Sequence, residues 1–260
     1  MRKMFGFEQK LVDQLVRLRE EYDLQGIKAE FETEGSSFRD LVRLRRITDK
    51  SNVSLYLKIG GVEALRDIKD SLEIGVDGLI APMVESQFGL KKFLDAVASI
   101  YKNKSIHRSI NIETEQAVAN FDEIIALGMK KNLDNITVGR TDLSCSYFDS
   151  QITPDCDFIF DLLTDLGNKI AATEMTMTVG GSLSRQSIEQ FKKRSDAWDG
   201  LIRYFETRKV ILPTEVMLES KNSIAQAHRF EEFYILAKKE MGDLFMESEN
   251  ARLEELKRRS

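Results

Sequence analysis

The sequence predicts an α/β protein, a (β/α)₈ or TIM barrel with an extended C-terminal helical segment. Short apolar segments of strand length alternate with amphipathic helical segments along most of the chain, which is typical of parallel strands joined by crossover helices. The chain has 260 residues, 42% of them hydrophobic, and such a barrel needs roughly 250 residues. The alternation alone leaves an open doubly wound sheet as the alternative.

Seven strands and seven helices are predicted before the C-terminal segment. The strands are expected near residues 26–32, 54–60, 77–84, 109–113, 135–140, 176–180 and 200–206. The helices are expected near residues 4–22, 37–48, 62–74, 86–101, 114–130, 157–172 and 184–194. An eighth strand is expected either at 210–213 or near the N-terminus.

Charged residues alternate with apolar ones in the predicted strands, and this favours the closed barrel. Lys28, Glu30 and Glu32 lie on one side of the first strand, Lys58 on one side of the second, and Glu113 on one side of the fourth. Strands of an open parallel sheet, buried on both faces, usually read as continuous apolar runs. In a barrel the polar side would face the C-terminal mouth, where active sites lie. Antiparallel strands with one solvated face are the alternative, but they do not explain the intervening helices.

Composition excludes several classes of function. The formal net charge is -5, with 38 basic and 43 acidic residues interleaved, so no basic stripe predicts nucleic-acid binding. No apolar run is long enough to span a membrane, and the N-terminus does not resemble a signal peptide. Cys145 and Cys156 have no metal-ligand spacing, and we expect free thiols and a cytoplasmic location. With only His107 and His228 present, a histidine-rich metal site is not expected.

Two carboxylates follow predicted strands that are neighbours along the chain. Glu113 ends the strand SINIE, and Asp142 comes directly after NITVGR. At the mouth of a barrel the pair could share a divalent cation, because Mg²⁺ takes one or two protein carboxylates and leaves its other positions to water and substrate. The alternative is structural, with Glu113 as a charge at a helix N-terminus and Asp142 as an N-cap.

Three motifs resemble a known family. GVDGLIAPMVES, NIETEQAVANFDEI and ITVGRTDLS together look like the HpcH/HpaI aldolase and citrate lyase beta-subunit family, over roughly residues 25–210. The resemblance implies a (β/α)₈ barrel that binds pyruvate-like units. It also implies that Glu113 and Asp142 hold a divalent metal, expected to be Mg²⁺ with Mn²⁺ or Co²⁺ as alternatives.

The sequence departs from the family at two positions that carry chemistry. The family has a His after an acidic residue at the end of an early strand, whereas AEFE has Glu30, Phe31 and Glu32. The family also uses an Arg on the next strand to contact substrate, and here LKIGG has Lys58, which cannot form the same bidentate contact. Glu30 and Glu32 therefore become candidates for the general base. Lys58 is either the group that neutralises an enolate or an ion-pair partner of these glutamates.

Further candidates lie near the predicted mouth. Arg140 is expected to stabilise a substrate carboxylate, with a solvated loop charge as the alternative. Lys28, Gly139 and Arg208 are expected to contribute to substrate binding. Among the residues without an expected role in chemistry, His107 is placed at the opposite end of the barrel and His228 on the surface.

The C-terminal segment is the last predicted feature. Residues 214–260 are almost unbroken helix with recurring apolar side chains, more than one strand–helix unit requires. Either the barrel or another subunit must cover this apolar surface, and the resemblance implies a neighbouring protomer. We therefore divide the chain into a catalytic barrel at 1–213 and a helical extension at 214–260 that is expected to mediate homo-oligomer formation.

The predicted function is a metal-dependent carbon–carbon lyase or aldolase that acts on a 2-oxo acid such as a pyruvate unit. One alternative is an enzyme that condenses phosphoenolpyruvate or pyruvate with a sugar-like acceptor. The other is a barrel that has lost its base and serves as a binding protein or scaffold, which the missing His suggests. The paired carboxylates count against the scaffold, because nothing structural requires both.

Overall fold

The chain folds into a closed barrel of eight strands in sequential order, β1 to β8. A computed structural model describes residues 4–198 and 200–259. The strands are β1 (Gly26–Glu30), β2 (Leu55–Lys58), β3 (Gly78–Ala81), β4 (His107–Ile112), β5 (Asn135–Gly139), β6 (Thr176–Gly180), β7 (Tyr204–Glu206) and β8 (Val210–Pro213). The predicted fold class, an α/β barrel with a long C-terminal helix, is confirmed.

Helices surround the barrel and connect most of its strands. They are α1 (Gly6–Tyr22), α2 (Phe38–Ser51), α3 (Leu65–Ile74), α4 (Gln87–Tyr101), α5 (Glu115–Ala119), α6 (Phe121–Lys130), α7 (Arg140–Ser146), α8 (Asp157–Ala171), α9 (Arg185–Lys193), α10 (Thr214–Glu219) and α11 (Ser223–Arg259). A short 3₁₀ helix covers Ser195–Ala197. Four of the helices begin at Ser or Thr N-caps whose hydroxyls accept backbone N–H bonds: Ser37, Ser86, Thr114 and Ser184. Such residues satisfy N–H groups that the helix itself leaves free.

The eighth strand is VILP, one of the two expected positions, but its direction departs from the (β/α)₈ pattern. β8 pairs antiparallel with both β7 and β1, whereas the other neighbouring strands pair in parallel. Only residues 207–209 separate β7 from β8. A parallel connection needs a dozen or more residues, whereas a hairpin needs only a few. The hairpin therefore brings residues 207–209 to the C-terminal mouth of the barrel.

Side chains alternate across the barrel wall as the sequence predicts. Ile27, Ala29 and Leu57 are fully buried and belong to the main apolar core around the barrel. Lys28 and Lys58, on the opposite side of the same strands, are 7% and 5% exposed and line the cavity at the mouth. A smaller apolar cluster of Tyr56, Ile80 and Ile211 is separate from the main core.

The C-terminal helix α11 packs against the N-terminal helix α1 over only part of its length. The side-chain amide of Gln14 donates to Gln226, and the Phe7 N–H donates to Glu240. Beyond Glu240 the side chains are almost all exposed. The first part of α11 is thus built onto the barrel, and the division of the chain at residue 213 stays a prediction. In the described part of the chain, no helix has the length and apolar character needed to cross a membrane.

Candidate active site

A cavity of about 420 Å³ lies at the C-terminal mouth of the barrel, and we call it the mouth cavity. Seven of the nine residues predicted for the site line it: Lys28, Glu30, Lys58, Glu113, Gly139, Asp142 and Arg208. Its walls also include Glu206, from β7, and His228 and Glu231, from α11. The lining holds five carboxylates against three lysine or arginine side chains, so the cavity carries an excess of two negative charges when His228 is neutral.

Glu113 lies at the base of the mouth cavity and is only 2% exposed. Its Oε1 accepts the backbone N–H of Met83 at 3.0 Å, and its Oε2 accepts the side-chain amide of Asn111 at 2.9 Å. Gly139 makes room for this carboxylate, because a Cβ at that position would lie 2.8 Å from Oε2. The glycine predicted to contact substrate thus has a steric role in the observed geometry.

Burial removes the Glu113 carboxylate from water, and neighbouring groups compensate its negative charge only in part. Burial raises the pKa of the Glu113 carboxyl above its ordinary value, and the nearby charge of Asp142 adds to this rise. The Lys58 ammonium, 3.6 Å away, and the hydrogen bonds from Asn111 and Met83 oppose the rise in pKa without cancelling it. Buried carboxylates need a compensating charge, and here the protein supplies only part of it.

Asp142 is exposed in the first turn of α7. The N-cap of that helix is Gly139, and the N-cap of α5 is Thr114. Asp142 is therefore not the N-cap that the structural alternative requires. Glu113 comes before the helix and faces the cavity.

Lys58 connects two carboxylates at the mouth. Its Nζ lies 2.8 Å from Glu32 and 3.6 Å from Glu113. Burial lowers the pKa of Lys58, but the nearby Glu113 and Glu32 carboxylates outweigh this effect and leave the pKa above its ordinary value. Lys58 is therefore a permanent cation, which is unsuited to Schiff-base chemistry and suited to stabilising negative charge. Glu32, predicted as a base, contacts Lys58 and does not line the mouth cavity.

Lys28 joins two further carboxylates into a buried cluster. Its Nζ is 2.8 Å from Glu206 and 3.3 Å from Glu30. Burial lowers the pKa of Lys28, but the charges of Glu206 and Glu30 outweigh it and raise the pKa overall. Sequence reasoning missed Glu206, although it ends the strand YFE as Glu113 ends SINIE. That shared position, a carboxylate at the end of a predicted strand, was the available signal.

Arg140 does not lie where we expected it. It is fully buried, and its guanidinium donates to the carbonyl oxygens of Gly180, Gly181 and Pro154 at 2.7–3.2 Å. The same group forms an ion pair with Asp155 at 2.5 Å. Because these contacts occupy four of its five guanidinium N–H groups and it does not line the mouth cavity, Arg140 holds loops together instead of contacting substrate. The alternative of a solvated loop charge is also wrong.

The β7–β8 hairpin brings two cations to the mouth. Arg208 lines the mouth cavity and pairs with Glu34 at 3.3 Å. Lys209 also pairs with Glu34, and its ammonium lies over the Tyr234 ring. Burial lowers the pKa of Lys209 below its ordinary value. Sequence reasoning did not select Lys209, because its burial depends on the hairpin and on α11.

The two histidines and two cysteines lie as expected. His107 begins β4 at the N-terminal end of the barrel, and His228 is exposed on α11, although it borders the mouth cavity. Cys145 and Cys156 are free thiols.

The mouth residues fit a hard divalent cation held by few protein ligands. The described residues contain no cluster of three or more His, Cys, Asp or Glu side chains arranged to hold a metal. A site with two carboxylates and open positions is the arrangement that Mg²⁺ commonly adopts. Two observations agree with it: the negative excess of the cavity and the buried Oδ1 of Asn111, which has no hydrogen-bond partner.

Solved structures of known proteins share this fold. An HpcH/HpaI aldolase from Desulfitobacterium hafniense DCB-2 matches with a TM-score of 0.59 and 15% identity, over 80% of this chain and 84% of that one. The citrate synthase SbnG matches with a TM-score of 0.58 and 17% identity, over 90% of each chain. An HpcH/HpaI aldolase/citrate lyase family protein from Burkholderia cenocepacia J2315 matches with a TM-score of 0.58 and 14% identity, over 87% of this chain and 100% of that one. At these identities the likeness shows the fold alone.

Comparison with curated proteins finds no match. A profile of the HpcH/HpaI aldolase/citrate lyase family matches residues 46–153. This segment contains Lys58, Glu113 and Asp142, and it excludes β1 and β7 with their glutamates. The match supports an enzyme of the lyase or aldolase type. The resemblance predicted from the motifs is thus confirmed: over residues 46–153 this chain matches the HpcH/HpaI aldolase/citrate lyase family.

Proposed function

We propose that this chain is a metal-dependent carbon–carbon lyase or aldolase that acts on a 2-oxo acid. The observation that carries the proposal is the pairing of Glu113 and Asp142 at the mouth, beside the buried cation Lys58. Glu113 and Asp142 would hold the cation. When bound, a divalent ion acts as a Lewis acid toward the carboxylate and carbonyl oxygens of a 2-oxo acid.

The protein's own residues supply positioning and charge. Lys58 keeps its proton and is 5% exposed, so its charge is little screened by water. A fixed cation stabilises negative charge that develops on a substrate oxygen in the transition state. Asn111 orients Glu113 through its amide hydrogen bond. Arg140 and Asp155 hold the neighbouring loops in place.

Glu30 is the better of the two predicted candidates for the general base. It lines the mouth cavity, whereas Glu32 does not. Lys28 lies 3.3 Å from Glu30 and 2.8 Å from Glu206, so Glu206 is the more tightly engaged of these two carboxylates. A base must reach the proton that it removes, and the position of Glu30 in the cavity wall supports this role.

A condensing enzyme is the second candidate. Four residues that line the mouth cavity carry hydroxyl groups: Thr33, Thr141, Ser182 and Thr207. Such groups suit a hydroxylated, sugar-like acceptor, and the donor would be phosphoenolpyruvate or pyruvate at the same carboxylate pair. The scaffold alternative has less support, because the interior charges converge on one cavity.

Metal binding is the first test of the proposal. Titration calorimetry with Mn²⁺ should detect binding to the wild-type protein and none to Glu113→Gln or Asp142→Asn. Glu115→Gln and Asp161→Asn are matched controls, since both side chains are exposed and lie outside the mouth cavity. Circular dichroism should show that all four variants remain folded. Undiminished binding in either mouth variant would refute the metal assignment.

Activity on a 2-oxo acid is the second test. Incubation of the protein with pyruvate and Mg²⁺ in deuterated water should exchange the methyl protons, as followed by proton NMR. The exchange should stop on addition of a chelator. Absence of exchange with pyruvate and with longer 2-oxo acids, in a protein that binds Mn²⁺, would contradict the proposed reaction class.

A further inference from the structure

A second cavity opens at the opposite, N-terminal end of the barrel. This lower cavity has a volume of about 160 Å³. Its rim includes Gln25, His107 and Asp134, which are exposed or partly exposed. Its inner wall is formed by residues of strands β2 to β8. It is therefore a pocket that enters the barrel from the end away from the mouth cavity.

One part of the inner wall of the lower cavity is polar and another part is apolar, formed by Tyr56, Ile80 and Ile211. The polar part is unusual because branched apolar side chains usually fill a barrel interior. Asn135 lies within hydrogen-bond distance of four hydroxyl groups. The distances are 2.7 Å to Ser109, 3.1 Å to Thr137, and 2.9 Å to each of Thr176 and Thr178.

These hydroxyls have hydrogens that the amide does not take up. An amide has two N–H donors and one oxygen, so in one orientation it donates to Ser109 and Thr137 and accepts from Thr176 and Thr178. In the flipped orientation the roles exchange. Either way, two hydroxyls accept from the amide and keep their own hydrogens, although in the flipped orientation the Thr176 hydroxyl has the Asp134 carbonyl oxygen as a partner at 3.4 Å. A buried donor without a partner costs about 1–3 kcal/mol.

Water molecules in the lower cavity would accept hydrogen bonds from these remaining hydroxyl hydrogens. A buried site holds water when it is polar, offers two to four partners and exceeds about 10–15 Å³. The lower cavity has ample volume, unspent hydroxyl hydrogens, and acceptors in Asp134 and Glu206. The wall offers both hydrogen-bond donors and acceptors, which suits a chain of water molecules better than an anion or a cation.

Glu206 lines the lower cavity and the mouth cavity at once. Its side chain lies across Gly180, where a Cβ would come within 2.8 Å of the Glu206 Cγ. Its Oε1 contacts Lys28. Glu206, buried beside Lys28, thus lies between the two cavities.

We propose that a column of water fills the lower cavity up to Glu206 and supplies solvent protons to the Lys28–Glu206 pair while substrate occupies the mouth. When Glu30 takes a proton from substrate, that proton exchanges for one from a water of the column through the Lys28 ammonium, which contacts both Glu30 and Glu206, and bulk water at the N-terminal end renews that water. No other reactant is consumed. The role in proton supply rests on the proposed function, whereas the water column does not.

Thiol labelling tests the column without reference to activity. In a Cys145→Ser, Cys156→Ser background, Thr178→Cys places a thiol in the lower cavity, and Val179→Cys places one on the same strand toward the helices. The wild-type side chains are 3% and 0% exposed, so surface exposure does not separate the two positions. Methyl methanethiosulfonate should label the first variant at least about tenfold faster by mass spectrometry, because thiols buried in apolar surroundings are inert. Equal rates would overturn the water column.

Substitutions that block the lower cavity with an apolar side chain, called plug variants here, test the proton supply. Ser109→Leu, or the milder Thr137→Val, should slow labelling of the thiol introduced at position 178. Either should also lower the pyruvate exchange rate, by up to about 10²-fold if the column feeds the proton-transfer step. Mn²⁺ affinity should stay unchanged, since neither residue lines the mouth cavity.

The outcomes separate the two proposals. If the plug variants block labelling of the thiol at position 178 but exchange the pyruvate methyl protons at the wild-type rate, the column has no role in proton supply. If the wild-type protein exchanges no 2-oxo acid, the proposed function fails, and with it the role in proton supply. The labelling rates would still decide whether water fills the barrel.

Discussion

Replacing Lys58 by Met removes the only lysine or arginine within ion-pair distance of Glu113 in the described residues. At 3.6 Å two unit charges attract by about 4–5 kcal/mol for an effective dielectric constant of about 20. Loss of one partner from a buried pair typically costs about 3–5 kcal/mol of folding stability. Loss of one donor that stabilises transition-state charge lowers kcat by about 10²–10³-fold.

Two effects are therefore expected together, and a matched variant separates them. Leu57→Ala lies on the same strand but faces the helices, where Leu57 is fully buried. Its expected loss of stability is about 2–5 kcal/mol, similar to that of Lys58→Met. Urea denaturation followed by fluorescence measures both. Only Lys58→Met should lower the Mg²⁺-dependent exchange of the pyruvate methyl protons.

The catalytic role of Lys58 predicts that Mn²⁺ binding survives in Lys58→Met, because Glu113 and Asp142 remain. Lys58→Arg should recover part of the exchange, since it restores the charge. Exchange in Lys58→Met within about threefold of wild type, well short of the expected loss, would leave Lys58 as an ion-pair partner of Glu32 and Glu113 only. An equal loss in Leu57→Ala would assign the effect to stability.

Three further predictions follow from the same geometry. Burial raises the pKa of Glu113 in the folded chain, so its contribution to the free energy of unfolding is lost as the pH rises through that pKa. In chelator-treated protein, wild type should lose stability relative to Glu113→Gln in urea titrations as the pH rises above the ordinary value of 4.5; a constant difference would contradict the raised pKa. Arg140→Met should lower the free energy of unfolding by about 3–5 kcal/mol, because Asp155 loses a buried partner, and Arg140→Lys should lose less; a wild-type midpoint in urea would argue against the anchoring role. Truncation after Glu240 should keep the barrel folded but lower the mass measured by light scattering if exposed side chains such as Phe245 join protomers, and an unchanged mass would rule out that contact.

The sequence was sufficient to predict the barrel and most of the candidate residues that line its mouth cavity. Hydrophobic alternation is a local property. The face of the strand on which Lys28, Glu30 and Lys58 lie could therefore be predicted from the residues next to them. The positions of Glu113 and Asp142 followed from strand ends, since parallel strands end at the same side of a barrel. Metal binding by this pair, the oligomer and the substrate stay predictions.

The local pattern could not decide what Arg140 contacts. A guanidinium after a strand suits a substrate carboxylate as well as it suits backbone carbonyls. The choice depends on loops from β6 and from residues 154–155, which are distant in sequence and meet Arg140 only in the folded chain. The same limit applies to Glu206, whose partner Lys28 is 178 positions away.

The sequence by itself determined which side of each strand is charged, because a two-residue alternation is set by neighbouring side chains. Only the tertiary structure decided how those charges pair, because pairing depends on barrel closure. The three-residue hairpin at 207–209 turns β8 antiparallel and brings Arg208 and Lys209 to the mouth. Closure also encloses Asn135 and its hydroxyl neighbours in a cavity, since side chains from three strands converge there.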